Sequence, residues 1–69
     1  MKLSARNVLK GKVIKVTQGA VNSEVVLELA PGLQVVSIIT RQSAETLELA
    51  EGKTAYAVIK ASNVMIAVD

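Results

Sequence analysis

Leu33-Gln34-Val35-Val36-Ser37-Ile38-Ile39-Thr40, followed without a gap by Arg41-Gln42-Ser43-Ala44-Glu45-Thr46-Leu47-Glu48-Leu49, decides the fold. The first half is β-branched and apolar at successive positions, the pattern of a strand covered on both faces. The second half abandons the period of two. Thr40 has the residue type of a helix N-cap, and Ala44, Leu47 and Leu49 could form one short buried face. A helix of one to three turns is expected there, closed by Glu51-Gly52.

On the N-terminal side, Val8–Thr17 reads as a long strand carrying Lys10, Lys12 and Lys15. Gly11 within it suggests a bulge or a close backbone approach. Gln18-Gly19-Ala20-Val21-Asn22 is a turn, and Ser23–Leu29 is a half-buried strand with Val25, Leu27 and Leu29 on one face and Glu24, Val26 and Glu28 on the other. Ala30-Pro31-Gly32 fits a type II turn, with Pro second and Gly third. On the C-terminal side, Thr54–Lys60 is a fourth strand, Ala61-Ser62-Asn63 a turn, and Val64–Val68 a fifth strand. Three strands, a short helix and two strands make an all-β chain with a small α contribution: a five-stranded, OB-like Greek-key barrel with its helix between strands three and four.

The 69 residues form a single domain, 1–69, with no internal repeat, linker or low-complexity segment. A chain this short buries only about 60% of the surface its unfolded form exposes. It has no cysteine or histidine, so disulfides, zinc-finger patterns and Cys- or His-based nucleophiles and bases are excluded. Yet 51% of its residues are hydrophobic and 1% aromatic, Tyr56 being the one aromatic residue. So much aliphatic surface on so short a chain favours self-association over a tightly packed monomer. No apolar run is long enough for a membrane helix, and Met1–Arg6 has no signal core, so a cytoplasmic protein is expected.

Enzymatic activity is not expected. Glu45/Glu48 and Glu48/Glu51 have the spacing of a solvated helix face, and Tyr56 reads as packing. There is no Walker or dinucleotide-binding motif, and no cluster suited to a free metal cation. OB-type barrels often bind nucleic acid, but single-strand binders need aromatic stacking platforms. With one tyrosine and a net charge of +2, nucleic acid is a poor second reading.

Hydrogen-bond donors remain, gathered at segment ends. Ser4-Ala5-Arg6-Asn7 precedes strand one; Thr40 and Ser43 flank the helix start; Lys60-Ala61-Ser62 follows strand four. Together they offer an oxyanion guanidinium, ammonium, hydroxyl and backbone N–H groups. Taken singly, each also reads as ordinary capping or a solvated turn.

Ser4-Ala5-Arg6-Asn7 with the Leu9–Val13 strand, Thr40-Arg41-Gln42-Ser43, and Val58–Ile66 together resemble the molbindin (Mop) family of TOBE-like, molybdenum-pterin-binding or molybdate-binding domains. The resemblance runs through essentially the whole chain. It implies an OB-like fold, a homohexamer built as a trimer of dimers, and molybdate or tungstate held between subunits. By position, Ser4, Arg6 and Lys60 would be ligands, with backbone help from Ala5 and Ala61. Thr40 and Ser43 would reach the same anion from a neighbouring subunit, with Ser62 and Asn7 as further candidates. Some members bind additional anions near the threefold axis, for which the Gly19-Ala20-Val21-Asn22 turn is the candidate. Without a helix-turn-helix or an ATPase motif, the chain resembles the free-standing form, with a role in intracellular molybdenum storage or homeostasis. The alternative is an OB-type interaction or nucleic-acid-binding module without a working anion site. Pterin has no aromatic platform here, and no organic cofactor is expected.

Overall fold

The computed structural model describes residues 1–69. Four antiparallel strands, β1 (Asn7–Gln18), β2 (Asn22–Ala30), β3 (Leu33–Thr40) and β4 (Thr54–Ile59), form one curled sheet in the order β3-β2-β1-β4. A helix, α1 (Arg41–Thr46), separates β3 from β4, and a 3₁₀ turn spans Ala61–Asn63. Three hairpin-connected strands with the fourth returning beside the first are the Greek-key arrangement.

Two local devices curl the sheet. Along β1, the register with β2 shifts between Val13 and Lys15, so Ile14 is an extra residue. Such a bulge bends the strand and increases its twist. At Gly11 there is no bulge but a close approach: a Cβ there would lie 2.8 Å from the Glu28 carbonyl oxygen and 2.9 Å from Leu29 Cδ2. The β2–β3 hairpin closes through Pro31-Gly32, and Gly32 takes φ +79°, as the second central residue of a type II turn requires.

The helix is shorter than its sequence suggests. It ends at Thr46, well before Glu51-Gly52, because Glu48 turns into the left-handed region at φ 54°. Lys53 secures this exit: its Nζ donates to the carbonyls of Leu47 (2.7 Å) and Glu48 (3.2 Å). A lysine at a helix C-terminus satisfies carbonyls that lack intrahelical partners. Of the three apolar residues expected on the helix face, Ala44 is buried and Leu49 packs on the core, but Leu47 faces solvent.

Inside the curl lies a very small core. Val13, Val25 and Leu27 form its centre, with Val16, Ile39, Leu49, Ala55 and Ala57 packed against them. Only six of the 69 residues are buried, so the chain leaves most of its aliphatic content uncovered. β3 and β4 alternate as half-buried and exposed, and their outward residues Val36, Ile38, Tyr56 and Val58 are apolar. Tyr56 is therefore a surface residue and does not pack in the core.

The expected fifth strand is absent. β4 stops at Ile59, one residue short of Lys60, and Val64–Val68 pairs with nothing. Met65, Ile66 and Val68 are 93%, 85% and 92% exposed. An all-apolar segment becomes a stable strand only where a neighbour covers it, and nothing in a single chain does so. The free edges of β3 and β4 instead border an open apolar groove of about 730 Å³, with Leu27, Val35, Ile39, Leu49, Ala57 and Ile59 among its lining. Gly11→Ala should lower stability by about 1–3 kcal/mol, since the added methyl meets backbone that cannot yield. Urea unfolding should show a lower midpoint at an unchanged slope.

Candidate functional site

The sheet gathers the donor groups into two clusters. At one end, Asn7 is the first residue of β1 and pairs with Ile59, the last of β4. The residues just beyond that pair are Arg6 and Lys60, so Ser4-Ala5-Arg6 and Lys60-Ala61-Ser62 leave the barrel from adjacent strand ends. A side-chain bond reinforces the junction: Asn7 Nδ2 donates to the Ile59 carbonyl at 3.1 Å. The 3₁₀ turn then folds the second segment back, with Asn63 N donating to the Lys60 carbonyl (2.9 Å) and Val64 N to that of Ala61 (3.2 Å). Ser4, Arg6, Lys60, Ala61 and Ser62 are exposed, and Ala5 and Asn7 are half-buried.

Neither Arg6 nor Lys60 has an acidic partner. The single ion pair of the chain is Arg41–Glu45, 3.1 Å, on the outer surface of α1. Two cations therefore stand at this end without an ion-pair partner.

The second cluster lies at the opposite end of the barrel. Asn22, at the start of β2, pairs with Thr40, at the end of β3, and Ser23 with Gln18, at the end of β1. Thr40 caps α1: its Oγ1 accepts from Ser43 N at 3.0 Å and donates to Ser43 Oγ at 2.8 Å. The Gly19–Asn22 turn is tied to the same place. Arg41 N donates to the Val21 carbonyl at 2.8 Å, and Gly19 N to that of Asn22 at 2.8 Å. Thr40, Ser43 and this turn therefore form one neighbourhood.

The two clusters do not meet. β1 runs 12 residues between them, and an extended run of that length spans up to about 36 Å. The molecule's longest dimension is 35 Å. An anion held by both clusters would need each from a different copy of the chain.

Two features escape sequence reading. The Asn7 clamp joins residues 52 apart in sequence, and nothing local announces it. Ser23 is 1% exposed, on the core side of β2, with no hydrogen-bond partner for its hydroxyl. Its only sequence signal is a polar residue at an inward position of an alternating strand. The chain holds no group of three or more His, Cys, Asp or Glu side chains placed to bind a metal cation. Glu45 is solvated and paired to Arg41, as its spacing suggests, while Glu48 falls outside the helix.

Residues 3–66 match the family model described as the TOBE domain. Molybdenum-pterin-binding protein 3 of Clostridium pasteurianum is 54% identical over 66 residues, covering 96% of this chain and 97% of its own. The solved structure of MopII from Clostridium pasteurianum superposes with a TM-score of 0.90 at 48% identity, over 97% of this chain and all of that one. The cytoplasmic molybdate-binding protein ModG, solved with molybdate bound, superposes with a TM-score of 0.89 at 48% identity; the match covers 94% of this chain and 46% of that one.

The capping geometry separates the roles of Thr40 and Ser43. Thr40→Ala removes the oxygen that accepts from Ser43 N and should cost about 1 kcal/mol. Ser43→Ala leaves that bond in place and should stay within about 0.5 kcal/mol of the parent. Chemical denaturation of the two variants side by side checks this.

Proposed function

This chain belongs to the TOBE-domain family, and from that premise we propose that it binds molybdate, and tungstate with it, at sites shared between subunits, as a non-enzymatic store or buffer of the oxyanion in the cytoplasm. The observation that carries the reading is the Asn7–Ile59 pairing, which sets Arg6 and Lys60 on adjacent strand ends without a carboxylate partner. The names of the relatives point to the same ligand: a molybdenum-pterin-binding protein, and a cytoplasmic molybdate-binding protein with molybdate bound.

The donor chemistry suits this class of anion. Ser4, Arg6 and Lys60, with the backbone of Ala5 and Ala61 and with Ser62 alongside, supply one half of the site. Thr40 and Ser43 of a second copy supply the other, because the two clusters of one chain sit at opposite ends of the barrel. Of that pair, Ser43 is the better placed to donate, since the Thr40 hydroxyl is already engaged with it. The Gly19–Asn22 turn is the candidate for a further anion. Molybdate is a fully deprotonated tetrahedral dianion at neutral pH, and a site made of donors can satisfy its oxygens. Hydrogen phosphate brings an O–H that finds no acceptor there, an unmet group costing about 1–3 kcal/mol. Sulfate carries no such proton, and only cavity size discriminates against it.

Assembly follows from the same surfaces. Val64–Val68, about 17 Å long as a strand, is apolar throughout and unpaired, while β3 and β4 border an apolar groove with free backbone edges. The tail of one copy laid into the groove of another would supply the missing fifth strand and satisfy both. A homohexamer, a trimer of dimers, is the assembly proposed.

Equilibrium dialysis against molybdate, followed by elemental analysis, tests the binding. Stoichiometric uptake that phosphate at comparable concentration fails to displace is expected; displacement by phosphate would sink the donor-only site. An assembled protein that takes up no molybdate would be a scaffold instead. In thermal melts, molybdate at a hundredfold excess over its dissociation constant should stabilise the protein by about 2.7 kcal/mol. Arg6→Ala should lose most of that shift yet keep its fold, because Arg6 is exposed and lies outside β1. For assembly, light scattering should report an oligomer for the full chain and smaller particles once Met65–Asp69 is removed; an unchanged mass would refute the role given to the tail.

A further inference from the structure

We infer that Asn7 is a positioning residue for oxyanion binding, acting through Arg6 and Lys60 rather than as a ligand; this rests on the reading that these two cations hold the anion. The carboxamide of Asn7 is half-buried and engaged with the protein, its Nδ2 donating to the Ile59 carbonyl at 3.1 Å. One of the two Nδ2 N–H groups is thereby committed to the sheet and one stays free, while Oδ1 is an acceptor only. An acceptor has nothing to offer a fully deprotonated oxyanion.

The bond lies where the site needs support. Asn7↔Ile59 is the last register pair of β1 and β4, and strand ends fray first. Immediately past it stand Arg6 and Lys60, two exposed like charges in no ion pair, so repulsion between them opposes pairing at this end. The clamp adds a side-chain link to that end of the ladder, bridging residues 52 apart in sequence. It fixes the roots of both cations before the anion arrives, so less ordering remains to be done on binding. The anion then removes the repulsion that the clamp opposes.

The experiment is a double-mutant cycle on the full chain, read by molybdate equilibrium dialysis alongside ligand-free thermal melts. Asn7→Leu keeps the size and removes the hydrogen bond; Asn7→Ala is the second variant should the leucine disturb the fold. With Lys60 present, either should weaken molybdate binding about tenfold, the scale of one ordinary hydrogen bond. In a Lys60→Ala background the same change should have a clearly smaller effect, because one of the two cations it positions is gone. Equal losses in both backgrounds would mean that Asn7 touches the anion itself, and the inference fails. A lowered melting temperature with unchanged affinity would make the clamp purely structural, and the inference also fails. If the unmutated chain takes up no molybdate, the proposed function falls first and this inference with it. Normal uptake by the unmutated chain and by Asn7→Leu alike overturns the inference alone.

Discussion

β1 joins the two halves of the sheet, pairing with its hairpin neighbour β2 over one half of its length and with β4, the last strand of the chain, over the other. Over Asn7–Lys12 it holds β4, and over Lys12–Gln18 it holds β2. The bulge at Ile14 and the close approach at Gly11 bend it between those two partnerships. The curl, the small core around Val13 and the placement of both donor clusters all depend on this strand. Its first residue anchors the Arg6–Lys60 end, and its last residue adjoins the turn that is hydrogen-bonded to Arg41, next to Thr40.

The same strand limits what one chain can do. A four-stranded curl with two free edges does not close, and it buries six residues in a chain half of whose residues are hydrophobic. Free edges and bare aliphatic faces invite pairing with another chain. Length has a parallel effect on the placement of donors: the two donor clusters lie at opposite ends of β1.

Charge placement adds to this. Five of the six acidic residues lie on β2 or on α1 and the segment after it, and neither Arg6 nor Lys60 takes part in an ion pair. The side-chain hydrogen bonds of the two clusters are few, and only one of them is long-range in sequence. Thr40 and Ser43 cap α1 between themselves, Arg41 turns to Glu45, and Asn7 closes the sheet end.

Much of this was legible in the residues alone. The boundaries of β3 follow from its apolar run, the tight turn from Pro31-Gly32, and the cap from Thr40 three residues before Ser43, because these signals are local and carry their own stereochemistry. Arg6 and Lys60 stand out in the sequence as cations at segment ends, and the chain has no cysteine or histidine and a single aromatic residue. What the sequence left undetermined was non-local. An apolar run from Val64 to Val68 reads as a strand, but whether it pairs depends on a neighbour that no periodicity encodes. The helix end was misplaced because Lys53, five residues on, satisfies the Glu48 carbonyl where Glu48 turns left-handed. Tertiary structure alone decided that Arg6 and Lys60 share one end of the barrel while Thr40 and Ser43 occupy the other. Antiparallel pairing sets which strand ends meet, and that depends on contacts made across the whole chain.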